Sequence, residues 1–300
     1  MSFLRTFTLV LLPLLCASQL FSQSSPNIPE AHLTFTTVDV PGAGFSYVSG
    51  INAAGQMVGT YGDSNSGFEG RGFLFSNGNF TYFDYPESMV TYPNGINDLG
   101  VVVGTVRFEN WSDSGFLYDG QTYTKFDVPD QLDTDAYGIN NAGDVVGAAG
   151  NFGAQVHAFK MHNGRFRLFD LPGDETFDVA VDINNLGEIV AVSQGGIDRY
   201  GYVYRRGKFK EFNFPGTRAV TGVSAINDYG VVVGWYFISG EGSYGFAYRK
   251  GKYVSFAVPG ALHTYATGIN ASGQIVGEYV LPDYTEHGFV SSPIPDADFQ

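Results

Sequence analysis

Gly95-Ile96-Asn97-Asp98-Leu99-Gly100-Val101-Val102-Val103-Gly104 decides the fold, because it reads as a complete β-hairpin turn between two strands. Asn tolerates a left-handed backbone and bonds its own chain, and Gly takes the positive φ that ends the turn. Its opening recurs as Gly50-Ile51-Asn52, Gly138-Ile139-Asn140 and Gly268-Ile269-Asn270, with Asp182-Ile183-Asn184 and Ala225-Ile226-Asn227 as variants. The six asparagines are spaced by 45, 43, 44, 43 and 43 residues. Three residues after each stands a glycine, from Gly55 to Gly273, followed by a β-branched run.

About a dozen residues further on, each unit has a small residue and an aromatic: Gly72-Phe73, Gly115-Phe116, Ala158-Phe159, Gly201-Tyr202, Gly245-Phe246 and Gly288-Phe289. A second hairpin turn follows, as at Asn77-Gly78 and Asp119-Gly120, and the return strand ends in aromatic-Asp-x-Pro, as at Phe83-Asp84-Tyr85-Pro86. The proline stops the ladder because it has no N–H to donate. Four strands (A to D in chain order) in a unit of about 43 residues match one blade of a propeller, whereas a solenoid coil is shorter. The first strand, Phe35 to Val40, is a D strand with no A, B or C before it, and the last unit lacks its D. The expectation is therefore an all-β, six-bladed β-propeller of four-stranded blades, closed by the N-terminal strand completing the last blade. Strand A, with glycine or alanine before most turns, belongs at the crowded axis and strand D at the rim.

These repeats resemble the bacterial extracellular repeat family named HAF, whose tripeptide is His157-Ala158-Phe159 here and nearly so at His287-Gly288-Phe289. The resemblance spans residues 33 to 292 and implies a secreted or surface repeat protein. It brings no catalytic residues. Unit 4 departs most, with Asp182 and Ala191 in place of glycines, and unit 6 has Ala257 in place of the aspartate.

Residues 1–25 read as a signal peptide: Arg5 gives a positive start, Phe7 to Leu15 an apolar run, and Ser18 to Ser25 a small, polar exit. The run is short and broken by Pro13, which disfavours an uncleaved membrane anchor. The single cysteine, Cys16, falls inside this segment, so the mature chain has no disulfide or thiol metal site, and the bulk of Leu15 disfavours lipidation there. The expected layout is signal peptide 1–25, a short linker 26–32, the propeller 33–292 and a tail 293–300. The expected location is secreted or periplasmic, and a monomer is expected.

A composition of 40 Gly, 26 Phe and 19 Tyr with only 15% charged residues favours strands and turns over helices. The net charge of −14 disfavours nucleic acid and anionic membranes as partners, since phosphate binding relies on clustered Lys and Arg. The five histidines lack zinc-site spacing, no Gly-x-Ser-x-Gly elbow is present, and Gly42-Ala43-Gly44 has no strand-turn-helix setting, so neither metal nor cofactor is expected. Asp39, Asp84, Asp127 and Asp170 recur once per unit and read as structural ties between neighbouring segments.

In an antiparallel meander the B–C and D–A connections leave one face and the short A–B and C–D hairpins the other. The variable loops thus share a face, where acidic and aromatic groups suit a glycan, a peptide or a cation. The candidate ligand-binding residues are Trp111, Asp113, Asp133, Asp135, Asp174, Glu175, Tyr236 and Tyr284. The opposite face is expected to be basic, with Arg165, Arg205, Arg206, Lys208, Arg249, Lys250 and Lys252. The leading reading is a non-catalytic binding or surface-interaction module; the alternative is a secreted carbohydrate-active hydrolase or lyase.

Overall fold

The structure, a computed structural model, describes residues 28–63, 70–151, 155–173, 177–195, 198–212, 214–215 and 221–299. The expected signal peptide lies outside the described residues. Strand β1 (Phe35–Thr37) comes first, and five four-stranded units follow. Unit 1 is β2 (Phe45–Ile51), β3 (Met57–Gly62), β4 (Arg71–Ser76) and β5 (Asn79–Phe83); unit 2 is β6 (Val90–Ile96), β7 (Val102–Arg107), β8 (Asp113–Tyr118) and β9 (Tyr123–Phe126). Unit 3 is β10 (Asp133–Ile139), β11 (Val145–Gly150), β12 (Val156–His162) and β13 (Arg165–Phe169); unit 4 is β14 (Phe177–Ile183), β15 (Ile189–Gly195), β16 (Asp198–Arg205) and β17 (Lys208–Phe212). Unit 5 is β18 (Thr221–Ile226), β19 (Val232–Ile238), β20 (Gly242–Arg249) and β21 (Lys252–Phe256). The last unit has β22 (His263–Ile269), β23 (Ile275–Val280) and β24 (Glu286–Ser291), and β1 pairs antiparallel with β24 through Phe35↔Ser291, Thr36↔Val290 and Thr37↔Phe289.

The sheets are less separate than the repeat alone implies. Two stand as four-stranded sheets, while units 3 and 4, and units 5 and 6, merge into eight-stranded sheets. Each merger rests on one parallel pair, Val156↔Phe177 or Ser243↔His263, where the start of strand C touches the start of the next strand A.

The glycine at the third position of most B strands is demanded by strand A. A Cβ on Gly59, Gly104, Gly147 or Gly277 would stand about 2 Å from the carbonyl of Tyr47, Tyr92, Asp135 or Tyr265, and within 3 Å of the buried Phe73, Phe116, Phe159 or Phe289. The repeat's aromatic therefore packs flat on backbone. At the axis the A strands nearly touch: a Cβ on Gly50 would lie 3.1 Å from Gly95 Cα, and one on Gly268 3.3 Å from Gly50 Cα. Strand A is innermost, as its small residues require.

The turn asparagines form a circle. Asn52 Nδ2 donates to Asn97 O, Asn97 to Asn140 O, Asn140 to Asn184 O, Asn184 to Asn227 O, Asn227 to Asn270 O and Asn270 back to Asn52 O, at 3.0–3.2 Å. Each asparagine thus closes its own turn and ties it to the next unit. The position four before the central small residue has a parallel role on the opposite face. Ser46, Thr91, Thr134, Asp178 and Thr264 accept the amides of Val40, Tyr85, Val128, Leu171 and Val258, each just before a D–A turn.

Asp39, Asp84 and Asp170 join the end of strand D to strand C, whereas Asp127 pairs with a lysine of its own strand. Asp39 accepts Gly288 N and contacts His287 Nδ1 at 2.7 Å, Asp170 contacts His157 Nδ1 at 2.5 Å, and Asp127 pairs with Lys125 at 2.7 Å. The expected linker pairs instead with β21, since Ala31 N donates to Ser255 O and Ser255 N to Pro29 O. The tail forms a single 3-10 turn at Asp296–Phe299, with Asp298 against His32 and Ile294 N bonded to Gly273 O. The hairpin face is not simply basic. Its A–B turns supply carboxylates, so that Arg205 meets Glu188 at 3.1 Å, Lys160 meets Asp144 at 2.6 Å, and the tail's Asp296 takes Arg249.

Candidate functional site

On the long-loop face, strand β7 ends at Arg107 and β8 begins at Asp113, leaving a five-residue loop, Phe108 to Ser112. Phe108 N donates to Ser112 O at 3.1 Å and Trp111 N to Phe108 O at 2.8 Å. Asn110 Oδ1 accepts both the amide and the hydroxyl of Ser112. The loop of the last unit is built the same way: Leu281 N bonds Thr285 O, Tyr284 N bonds Leu281 O, and Asp283 Oδ1 accepts the amide and hydroxyl of Thr285. Trp111 has φ 65 and is 49% exposed; Tyr284 has φ 66 and is 77% exposed. A left-handed backbone is uncommon for a bulky residue, and such strain gathers at functional positions. Here it is imposed twice by the same bonds, and both times the residue held out to solvent is aromatic. Beside Trp111 lies an open groove of about 600 Å³ whose walls include Glu87, Glu109, Asn110, Ser112 and Lys125. Lys125 Nζ sits 5.8 Å from the Phe108 ring centroid and 2.7 Å from Asp127.

Toward the axis the loops give way to a buried polar group. Arg107 binds Asp113 through two bonds, Nε to Oδ1 at 2.7 Å and Nη2 to Oδ2 at 2.5 Å, and both side chains are buried. Asp113 N in turn donates to Asp133 Oδ1 at 3.1 Å. Asp135 is 5% exposed, and its Oδ2 accepts no hydrogen bond. Burial, then repulsion from Asp113, pushes its carboxyl well above the usual range despite Arg107. Tyr92 and Tyr137 are half-buried, and burial raises both phenols.

Asp135 belongs to a row that runs round strand A. Tyr47, Tyr92, Asp135, Val179, Gly222 and Tyr265 stand at equivalent positions, paired with Thr60, Thr105, Ala148, Val192, Trp235 and Glu278 on strand B. Glu278 is half-buried and is pushed up to about 7, first by burial and then by Glu286. Asp182, alone among the axial small residues, carries a carboxylate; it accepts Ile183 N and Ile226 N, and burial lifts it to about 6.

Both groups are protonated more readily in the folded chain than in the unfolded one. Their contribution therefore makes folding take up protons, so stability is highest below their unfolded pKa values of about 4 and declines as pH rises toward 7. Denaturant midpoints should accordingly be higher at pH 5.5 than at pH 7.5, and Glu278→Gln should flatten that slope. A midpoint that is level between these pH values in the intact protein counts against buried carboxylates at the axis. Asp144, held low by Lys160 and His162 although burial opposes them, adds stability that is lost only at more acid pH.

The structure separates the expected site residues into groups. Trp111 and Tyr284 are on equivalent loops of one face. Asp113 and Asp135 are buried in strands instead of being displayed on loops, and Asp133 is half-buried beside them. Tyr236 is also a correction: it is 4% exposed, stacks on Phe214 at 3.8 Å and bonds Ser255 Oγ at 2.7 Å, because alternation on β19 turns it into the core. Asp174 and Glu175 lie outside the described residues. Arg107, Tyr92, Asp182 and Glu278 were not among the expected site residues; the visible signal was a charge interrupting an apolar strand at Arg107 and Glu278, and a carboxylate in place of a repeat glycine at Asp182.

No family model matches the sequence, and no curated protein matches it. Among solved structures, the chain is similar to the fucose-recognising fungal lectin of Aleuria aurantia, a six-bladed β-propeller, at 13% identity and TM-score 0.52, covering 83% of this chain and 93% of that one. It is similar to TolB of Acinetobacter baumannii at 12% identity and TM-score 0.51, covering 75% of this chain and 60% of that one. A gluconolactonase-like protein matches at 11% identity and TM-score 0.54, over 89% and 94%. At these identities the likeness defines the fold, a β-propeller, and leaves the ligand to the chemistry of this chain.

Proposed function

We propose that this protein is an exported, non-catalytic propeller that binds extracellular glycans on its long-loop face, with Trp111 and Tyr284 as stacking platforms. The observation that carries the reading is the pair of loops that hold these aromatics outward in the same left-handed conformation. A large flat side chain presented rigidly gives contact area at low entropy cost, and the groove beside Trp111 adds Glu109, Asn110 and Lys125 as hydrogen-bonding groups. Printed glycan arrays provide the test. The double variant Trp111→Ala, Tyr284→Ala should bind roughly 10- to 100-fold more weakly, in the range of lost anchor residues. Its melting temperature should move little, because neither side chain contributes to the core. Undiminished binding by the variant removes this face from consideration. Turnover of a polysaccharide would favour the alternative of a carbohydrate-active enzyme, for which the raised carboxyls of Asp135 and Glu278 are the acid candidates.

The reading includes the HAF resemblance, a secreted or periplasmic location, and removal of the first 25 residues. Cell fractionation with mass spectrometry of the mature N-terminus tests the last two. It also includes ring closure by the N-terminal strand, supported by the pairing of β1 with β24.

A further inference from the structure

We propose that the outer rim of units 3 to 5 binds an acidic polysaccharide, whose carboxylates pair with the cations of three neighbouring D strands and the turns that lead into them. This site is distinct from the loop aromatics and uses none of their residues.

The first observation is where the cations stand in an acidic chain. The sequence holds 16 Lys and Arg against 30 Asp and Glu. Strands β13, β17 and β21 with the turns before them reverse that balance: Arg165 and Arg167 in unit 3, Arg206, Lys208 and Lys210 in unit 4, and Lys250 and Lys252 in unit 5 stand against one carboxylate, Glu211. The same stretches of units 1 and 2 hold one cation, Lys125, which is paired with Asp127. All seven rim cations are exposed, and none has an ion pair among the described residues. The carboxylates of the nearby turns and tail are taken by other cations, Asp144 by Lys160, Glu188 by Arg205 and Asp296 by Arg249.

The second is that these strands make one continuous surface. Phe169 on β13 stacks on Phe209 of β17 at 5.9 Å, and Phe212 at the end of β17 meets Tyr253 of β21 at 5.5 Å. Alternation puts Arg165 and Arg167 on the side of β13 that carries Phe169, and Lys208 and Lys210 on the side of β17 that carries Phe212. Each junction between units therefore sets cations beside aromatic rings, of which Phe169, Phe209 and Tyr253 are only partly buried.

The third is the backbone of the turns. Strand pairing aligns Asn77, Gly120, Asn163, Arg206 and Lys250, and all five have a left-handed φ, between 49 and 94. Asn and Gly accept this conformation readily. Units 4 and 5 place a long cation there instead, held out to solvent, and strain of this kind gathers at functional positions.

Cations interleaved with aromatic rings match a chain of linked uronic acids, whose carboxylates take charge-assisted hydrogen bonds while the C–H faces of the sugars lie on Phe and Tyr. A neutral glycan leaves the cations unmatched. Duplex nucleic acid carries a charge every ~1.7 Å and would meet the carboxylates of a protein of net charge −14 beyond this rim, whereas a uronate polymer spreads one charge per sugar and can follow the basic strip alone.

The experiment measures binding of a fluorescein-labelled galacturonate oligomer to the intact mature protein by anisotropy at neutral pH, at low and at physiological salt, with a dextran oligomer of the same length as the neutral control. The galacturonate should saturate at low salt and bind about 10-fold more weakly at physiological salt, since exposed charges are screened there, and dextran should not bind. Arg206→Asn with Lys250→Asn installs the residue that units 1 and 3 use at this turn, so the fold should be kept; combined with Lys208→Gln and Lys252→Gln it should weaken the galacturonate by about 10-fold or more at an undiminished melting temperature. Arg71→Gln, which removes an exposed cation of unit 1, should leave the affinity unchanged and so separates the rim from net charge. Trp111→Ala with Tyr284→Ala should also leave it unchanged, so that failure here and failure of the glycan reading are separate results. The salt and dextran comparisons need no variant and stand even if a substitution impairs folding. Absence of saturation, equal binding of dextran, unaltered affinity in the four-cation variant, or tighter binding of oligothymidylate or of phosphatidylglycerol vesicles than of the galacturonate overturns the proposal.

Discussion

Asn97→Asp is expected to destabilise the protein by about 3–5 kcal/mol at pH 7, enough to lower its melting temperature by roughly 6–15 °C. Asn97 is 5% exposed; its Oδ1 accepts Leu99 N and Val101 N, and its Nδ2 donates to Asn140 O at 3.1 Å. The substitution alters one atom. It replaces the donor with a charged acceptor facing a carbonyl, breaking the circle of bonds between units at one point. Asn97→Ala loses both roles but buries no charge, and should cost about 2–3 kcal/mol. The two variants also differ with pH. The introduced carboxyl is driven to protonate when folded, and once protonated it donates again, so its deficit relative to the parent should shrink as pH falls from 7 to 5. A thermal melt of Asn97→Asp that overlays the parent at pH 7 would show that the circle contributes nothing to stability.

Deletion of residues 33 to 41 should have an effect of similar or greater size, with the remaining chain melting at least 10 °C lower or accumulating as aggregate. Val38 and Val40 are both 4% exposed and pack with Val48, Met57, Phe73 and Val276, and burying each is worth about 1.5–3 kcal/mol. The deletion also removes the β1–β24 ladder, the Phe35 ring set edge-on against Phe289 at 5.5 Å, and the Thr37 bond to Tyr279 at 2.9 Å. Strand β24 is then left with an open edge, which invites pairing with a second chain. A synthetic peptide of residues 33 to 41 should restore part of the lost stability when added to the truncated protein. A truncated protein that melts at the parent temperature rules out closure by this strand.

The repeat made most of the fold legible. Asn-x-x-Gly located each A–B turn, and those glycines take φ of 71–84. The small residues at the A-strand ends pointed to the axis because close approach of backbones leaves no room for a Cβ. The merged sheets were not legible. They depend on one hydrogen-bonded pair at each of two contacts between units, and no local pattern encodes such contacts. Tyr236 and Asp113 illustrate the same limit within the site. A polar or aromatic residue near the end of a strand reads as part of the loop beside it, whereas strands β8 and β19 extend far enough to turn these side chains inward.

Turn chemistry, strand alternation and the position of each indispensable glycine are local properties, set by backbone sterics over a few residues, and the amino-acid order alone determined them. It also determined that Trp111 and Tyr284 belong to variable loops, as their exposure bears out. Only the tertiary structure decided that Asn110 and Asp283 lock those two loops alike, that Arg107 is consumed by Asp113, and that Asp135 keeps an oxygen without a donor. Those outcomes depend on burial and on groups brought together from different units. Electrostatic cost is set by what surrounds a charge in space, and residues 40 or more positions apart in the chain become neighbours only when the units pack against one another.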